Sequence, residues 1–226
     1  MPREVPINLT GWPKGGQATP RRAGGPCEHG LVRSHVSELA RPRRGHFDLG
    51  TGYHGDLWLD LDGLFLFPDR LQPDVQRLAD RLGRYRPGAV CGPLPLAGGA
   101  FLALMIAGML GAAFLPAYPG PGTSQPPGAY SLAPALRDRI DGWRVAVVDD
   151  AINAGTAVRA SCQELRDAGA IPVAVAALLA IGRASTVVTD TLGLPFHAGT
   201  TMPSQVWPAA GCPLCQNGTP LDQPAA

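Results

Sequence analysis

Lysine is nearly missing from this 226-residue chain: of 19 basic residues only Lys14 is a lysine, and it lies in a Pro/Gly-rich leader. Cation chemistry inside the folded part therefore falls to arginine or histidine. No long basic block is interleaved with aromatics, and the formal net charge is +1, so nothing predicts a phosphate-backbone footprint and nucleic acid is excluded as a main partner. No charged residue occurs from Pro87 to Leu136. Within that run Gly99 to Tyr118 is long enough to cross a bilayer. Against a membrane span stand Pro93, Pro95 and Pro116 at its ends, the small residues Gly108, Gly111, Ala112 and Ala113, and the lack of basic flanks. A helix crossing between two buried parallel strands explains the same composition, and no membrane partner is expected. No G-x-G-x-x-G follows a strand-like run, which argues against a dinucleotide fold. No apolar stretch follows Met1-Pro2-Arg3-Glu4, and the cysteines (Cys27, Cys91, Cys162, Cys212, Cys215) are odd in number. A reduced, cytoplasmic setting is the expectation. No internal repeat is present.

What the chain does contain is periodic. Glycine (29) and proline (24) cluster in the first thirty positions and between Pro116 and Pro134, leaving apolar periodicity elsewhere. Residues 1–27 read as a flexible leader, 28–203 as one domain and 204–226 as a tail carrying Cys-Pro-Leu-Cys. The pattern predicts a helix over 28–40, then a β-hairpin from Gly45–Leu49 and Asp56–Asp62 around Gly50-Thr51-Gly52. A helix over Gln72–Leu82 follows. Beyond it strands at Ala89–Gly92, Ala112–Ala117, Arg144–Val148, Pro172–Ile181 and Pro195–Ala198 alternate with helices at Ala100–Leu110, Thr156–Ala168 and Ser185–Thr191. Alternating elements with near-continuous apolar strands predict an α/β fold, a parallel sheet flanked by helices.

The most informative segment runs from Val145 to Arg159. A buried strand ends in Asp149-Asp150, and the small-residue turn Ala151-Ile152-Asn153-Ala154-Gly155 opens a helix at Thr156-Ala157. One reading makes the acids helix caps and Gly155 an ordinary turn. The other makes the turn a phosphate cradle, because backbone N–H groups and the positive helix end can face an anion, with the Thr156 hydroxyl as a further donor. Open α/β sheets bind ligands at that edge.

The run Val145-Ala146-Val147-Val148-Asp149-Asp150-Ala151-Ile152-Asn153-Ala154-Gly155-Thr156-Ala157 resembles the signature of the type I phosphoribosyltransferases, which bind 5-phosphoribosyl-1-pyrophosphate (PRPP), and within them the orotate enzymes. The resemblance spans about Leu31 to Ala198. It makes Gly45–Phe65 an amino-terminal hairpin hood, with Thr51-Gly52 in place of a Ser-Gly and Leu57-Trp58 near the base. It makes Gly92, Pro93, Leu94, Gly98 and Gly99 a pyrophosphate loop. It implies PRPP binding by Asp149, Asp150, Ala151, Asn153, Ala154, Gly155, Thr156 and Ala157, with the two acids holding the ribose hydroxyls and Mg²⁺ bridging hydroxyls and pyrophosphate. Carboxylates beside the sugar suit a reaction that builds oxocarbenium character, and hard oxygen ligands suit Mg²⁺. The expected partners are PRPP and a nitrogen base, and the expected assembly is a homodimer.

The family's cations are missing at three places. Its mobile loop of Arg-Lys-x-x-Lys-x-His corresponds to the cation-free Pro119–Pro127, its lysine before the hood Ser-Gly is Gly50 here, and its pyrophosphate-loop lysine is absent. Arg137 and Arg139 offer replacements, or are solvated residues of a short helix. Arg183, after Ala180-Ile181-Gly182, matches an arginine that lies near the orotate carboxylate in the family. The sequence therefore leaves two readings, a phosphoribosyltransferase and a PRPP-binding regulatory module with weak catalysis. Finally, Cys212 and Cys215 form half of a zinc-binding pattern, or are two unligated thiols. Cys27 with His29, or a second subunit, are candidates to complete it, whereas His46, His54 and His197 read as surface or strand residues.

Overall fold

The computed structural model describes residues 35–49, 52–94, 98–120 and 129–222. The leader, residues 28–34 of the first expected helix (with His29), Cys27, the Gly50-Thr51 turn and residues 121–127 of the cation-free run lie outside them. In chain order the elements are α1 (Val36–Leu39), β1 (Arg43–Asp48), β2 (Tyr53–Trp58), a 3₁₀ turn (Asp62–Phe65), α2 (Pro68–Gly83), β3 (Ala89–Pro93), α3 (Gly98–Leu110), β4 (Ala113–Pro119) and β5 (Tyr130–Ser131). Then come α4 (Pro134–Arg137), β6 (Arg144–Ile152), α5 (Thr156–Asp167), β7 (Ile171–Ile181), α6 (Ala184–Leu192), β8 (Phe196–Met202), β9 (Val206–Pro208), a second 3₁₀ turn (Ala209–Gly211) and α7 (Pro213–Gln216).

Six strands form the main sheet in the order β5-β4-β3-β6-β7-β8. All its neighbours run parallel except the short β5 on β4. Because side chains alternate across a strand, β6 feeds both faces: Val145 and Val147 enter one core, Ala146 and Val148 the other. The second core is filled by Leu71, Val75, Leu78 and Leu82 of α2 and by Leu102, Ala103 and Ile106 of α3. The first is filled by Val158, Cys162 and Leu165 of α5 with Ala184 and Val188 of α6. Two covered faces explain why the central strands read as unbroken apolar runs rather than alternating ones. The uncharged run resolves in the same way: α3 spans thirteen residues, and no described helix is long and apolar enough to cross a membrane.

A second, three-stranded antiparallel sheet has the order β1-β2-β9. Its first two strands are the expected hairpin, with a register shift between Arg44 and Phe47. The second strand runs over Tyr53–Trp58 rather than Asp56–Asp62, because Asp60 ends it: its carboxylate accepts the Gly63 N–H (3.0 Å) and starts the 3₁₀ turn. The third strand comes from the expected tail. Residues 206–208 pair with Tyr53–Gly55, and the Asp56 carboxylate accepts from the Ser204 hydroxyl and the Gln205 N–H, each at 2.9 Å. Residues 206–208 thus add a third strand to the hood sheet, within the segment that the sequence suggested as a tail.

Two other boundaries moved for local reasons. Helix α2 starts at Pro68, a proline at a position whose N–H has no intrahelical partner, so Pro73 falls inside the helix rather than in its first turn. Strand β6 continues past Val148 through the acidic pair to Ile152, because β7 offers a long partner and pairing persists at Ala151↔Leu179 and Ile152↔Ala180.

The short α4 is anchored from below. Glu164 of α5 is buried, and its carboxylate accepts two bonds from Arg137 Nη1 (both 2.9 Å) and one from the Leu132 N–H (3.0 Å). Arg137 is therefore engaged in holding β5 and α4 on α5. Arg137→Ala leaves a buried carboxylate short of its cation and is expected to destabilise by about 2 kcal/mol or more. In a chain of this size that lowers the melting temperature by about 4 °C or more, read by thermal denaturation.

Candidate active site

The chain passes from β3 to β4 on one side of the sheet and returns to β6 on the other. The carboxyl ends of β3 and β6 therefore diverge into a crevice at a topological switch point, the place where open α/β sheets bind ligands. Both sequence-predicted loops meet there. Gly92, Pro93 and Leu94 end β3, Gly98 and Gly99 begin α3, and Asp149 and Asp150 lie on β6 beside them. Residues 95–97 lie outside the described ones.

The glycines are required by the acids. A Cβ on Gly98 would overlap the Asp150 carboxylate, and one on Gly99 would sit 2.6 Å from Asp149 Oδ1 and 2.8 Å from Pro93 Cδ. A Cβ on Gly92 would run into the Gly99 carbonyl and lie 2.7 Å from the Ala103 side chain. Close packing and placement of the carboxylates are one device here. Gly98→Ala must push Asp150 aside, at a packing cost of about 1–3 kcal/mol, and the affinity for PRPP, the ligand expected from the sequence, should fall about tenfold or more by calorimetry. Gly108→Ala in the same helix meets nothing within 4 Å and is expected to leave that affinity unchanged.

The electrostatics of the pair are unusual. Asp150 is buried and Asp149 half-buried. The Asp150 N–H donates to Asp149 Oδ1 (3.0 Å) and the Ala151 N–H to Asp150 Oδ1 (2.7 Å). Burial, and then the neighbouring Asp150 charge, push the Asp149 carboxyl well above the ordinary carboxylate range. Burial raises Asp150 too, offset in part by hydrogen bonds from Asp149 and the Ala151 N–H, with Asp62 adding negative charge. Tyr130 of β5 is raised by burial and by the charge of Asp149. Neither Asp62 nor Tyr130 carried a sequence signal, since each reaches the crevice from a distant segment.

Past β6 the chain turns through Asn153 and Ala154, both exposed, to Gly155, whose φ of +69° is left-handed. That conformation costs a residue with a Cβ about 1–2 kcal/mol, which accounts for glycine at the entry to α5. Ala151 is half-buried on the strand, Thr156 is exposed and Ala157 half-buried. The first turn of the twelve-residue α5 therefore follows closely on the acidic strand end, and helix geometry leaves its first N–H groups without intrahelical partners. Arg159 reaches back over this turn, donating to the Ala154 carbonyl (2.6 Å) and the Thr156 hydroxyl (3.4 Å). It is a cation at the loop that sequence reasoning overlooked, although it stands in the same motif.

The remaining candidates scatter. Arg183 is exposed at the start of α6, after the left-handed Gly182 that ends β7. Trp58 ends β2 in the hood, 6.0 Å from the Phe47 ring. Arg137 binds Glu164. Cys212 and Cys215 come together with His46 and His54, two strand residues that had seemed unsuited as ligands.

No protein-family model matches the chain. Sequence relatives do: the chain is 30% identical over 196 residues to orotate phosphoribosyltransferase of Thermotoga maritima, covering 87% of this chain and 98% of that enzyme. It is 26% identical over 183 residues to the orotate phosphoribosyltransferase of Caldanaerobacter subterraneus, covering 81% and 90%. Among solved structures, orotate phosphoribosyltransferase from Aeropyrum pernix superposes with a TM-score of 0.61 at 22% identity, over 74% of this chain and 91% of that one. Adenine phosphoribosyltransferase from Thermoanaerobacter pseudethanolicus gives 0.56 at 17%, over 74% and 98%. An acidic pair at the switch point, a left-handed glycine opening a helix, and a sequence match along nearly the whole of a relative agree: the chain belongs to the orotate phosphoribosyltransferase family and is a type I phosphoribosyltransferase.

Proposed function

We propose that the protein transfers phosphoribose from PRPP to a planar nitrogen base with release of pyrophosphate, and that Asp149 and Asp150 hold the ribose. The observation that carries this reading is the pair of carboxylates at the β3/β6 crevice beside the helix-opening loop 153–157. The 5-phosphate fits the N–H groups of that loop with Thr156 and Arg159, and the pyrophosphate is assigned to Gly92, Pro93 and Leu94 at the end of β3 with Gly98 and Gly99 at the start of α3. Mg²⁺ suits the site on its own chemistry. The two acids are crowded, a third acid stands near, and among the described residues no cation lowers either of them. A hard divalent ion held by Asp149, Asp150 and substrate oxygens would neutralise both the acids and the leaving group.

The acceptor is read from the cations. Pro87 to Leu136 contains none; Arg159 and Arg183 stand on elements that begin at this edge, and Trp58 offers a stacking face from the hood. This favours a neutral or weakly charged planar base over orotate. The cytoplasmic setting and homodimeric assembly expected from the sequence belong to the same reading, and sedimentation tests the second. Pyrophosphate release from Mg²⁺ and PRPP across a panel of purine and pyrimidine bases tests the whole. Turnover with at least one base is expected, and PRPP binding with no release for any base would replace it by the regulatory reading.

A further inference from the structure

Four side chains outside the crevice converge on one point. His46 of β1 and His54 of β2 face each other across the hairpin, with His46 Nε2 3.0 Å from His54 Nδ1. The chain returns as β9 beside β2, pairing Trp207 with His54, then makes the 3₁₀ turn that delivers Cys212, and the turn of α7 delivers Cys215. Cys212 Sγ lies 3.4 Å from His46 Nε2, Cys215 Sγ 3.6 Å from the same atom and 3.3 Å from His54 Nδ1. All four ligand atoms lie within 4.8 Å of one another.

These separations are those of a metal's coordination shell. Zn–N of about 2.0 Å and Zn–S of about 2.3 Å put tetrahedral neighbours about 3.3 Å apart for two nitrogens and about 3.5 Å apart for nitrogen and sulfur. We propose that His46, His54, Cys212 and Cys215 bind one zinc ion in a closed tetrahedral site that staples the carboxyl-terminal segment to the hood hairpin.

The surroundings support it. His46 Nδ1 lies 2.8 Å from the Thr219 carbonyl, so that nitrogen carries the proton and Nε2 keeps its lone pair for a metal, the outer-shell arrangement that orients ligating imidazoles. The His46 N–H donates to the Asp222 carboxylate (2.8 Å), and the Asp222 N–H returns to the His46 carbonyl (2.6 Å). The backbone carrying one ligand is thereby fixed from both sides. His46, His54 and Cys212 are buried while Cys215 is exposed, which leaves one side for the ion to enter. Two thiolates and two imidazoles select zinc over Mg²⁺ or Ca²⁺, which require oxygen. Four protein ligands leave no open position, so the site is structural rather than catalytic. It joins residues more than 150 positions apart in sequence, 54 to 212, and so removes a large share of the freedom of the unfolded chain, as a long-loop cross-link does.

The test uses full-length protein without a histidine tag, purified in reducing buffer. Elemental analysis is expected to find about one zinc per chain. Metal-free protein given Co²⁺ should show the visible bands of tetrahedral cobalt with a thiolate charge-transfer band. Cys212→Ser with Cys215→Ser should lose both signals. If the double variant fails to fold, the wild-type cobalt spectrum still decides. Less than about a tenth of an equivalent of zinc after incubation with stoichiometric metal, or a cobalt spectrum without the thiolate band, overturns the site. Full zinc retention by a folded double variant does so as well, by putting the metal elsewhere.

Discussion

Replacing Asp149 and Asp150 together by asparagine is expected to lower phosphoribosyl transfer by about 10³-fold or more while raising the melting temperature at neutral pH. The loss follows from charge. Cationic character develops on the ribose in the transition state, and removing one preorganised electrostatic contact costs about 10²–10³ in rate, so removing two acids, which in the proposed reading also hold Mg²⁺, costs more. The gain in stability follows from the same burial that makes the acids useful. The Asp149 carboxyl is pushed well above its ordinary value, mainly by burial. Such a group holds its proton more tightly folded than unfolded. Its contribution is therefore most favourable in acid and is lost as the pH climbs from about 4 through the folded-state value. At neutral pH the burial of carboxyls that would ionise in the unfolded chain works against folding, and neutral amides relieve it. Each kcal/mol recovered raises the melting temperature by about 2–4 °C. Melting curves at pH 5 and pH 8 should show the variant's advantage growing with pH. A double variant less stable than wild type at pH 8, with PRPP affinity unchanged, would remove the acids from the site.

The second large effect concerns orotate, whose turnover is expected to be about 10³ to 10⁴ times slower than an ordinary enzymatic rate. PRPP and orotate are both anionic, and the three segments that carry cations in the orotate enzymes contain none here: Pro119–Pro127, Gly50 and the turn after β3. Two lost contacts of about 2–3 kcal/mol each give that factor if they act independently. Arg137, one candidate substitute, is bonded to Glu164 instead. Arg159 and Arg183 stand on other segments, and neither replaces the three that lack cations. A base without a carboxylate asks less of the same crevice. Steady-state orotate turnover near 10 per second, the median for enzymes, would show that these two arginines suffice.

The fold could be read from the sequence because its signals are local. Val145–Val148 and Val173–Ile181 are continuous apolar runs, since helices cover both faces of the strands they form. The motif from Asp149 to Ala157 is contiguous, and its small residues and left-handed Gly155 sit where one strand, one turn and one helix place them. Arg159 belongs to that local group and was within reach of the same reasoning.

What depended on distant segments was not legible. Asp62, from the 3₁₀ turn after β2, raises Asp150, and Asp149 in turn raises Tyr130 on an edge strand; no spacing in the chain announces either. Arg137 looked like a free cation because its partner, Glu164, stands 27 residues away on another element. Cys-Pro-Leu-Cys read as half of a site in a tail, and His46 and His54 as strand residues. Only the antiparallel return of β9 onto β2 brings the four together. The parallel sheet, its two apolar faces and the strand-turn-helix from Asp149 to Ala157 were legible in the sequence, because each arises from side-chain periodicity or backbone conformation within a few residues. The tertiary structure alone decided which charges meet and which ligands converge, because those depend on contacts between segments up to about 170 residues apart, His46 to Cys215 among them.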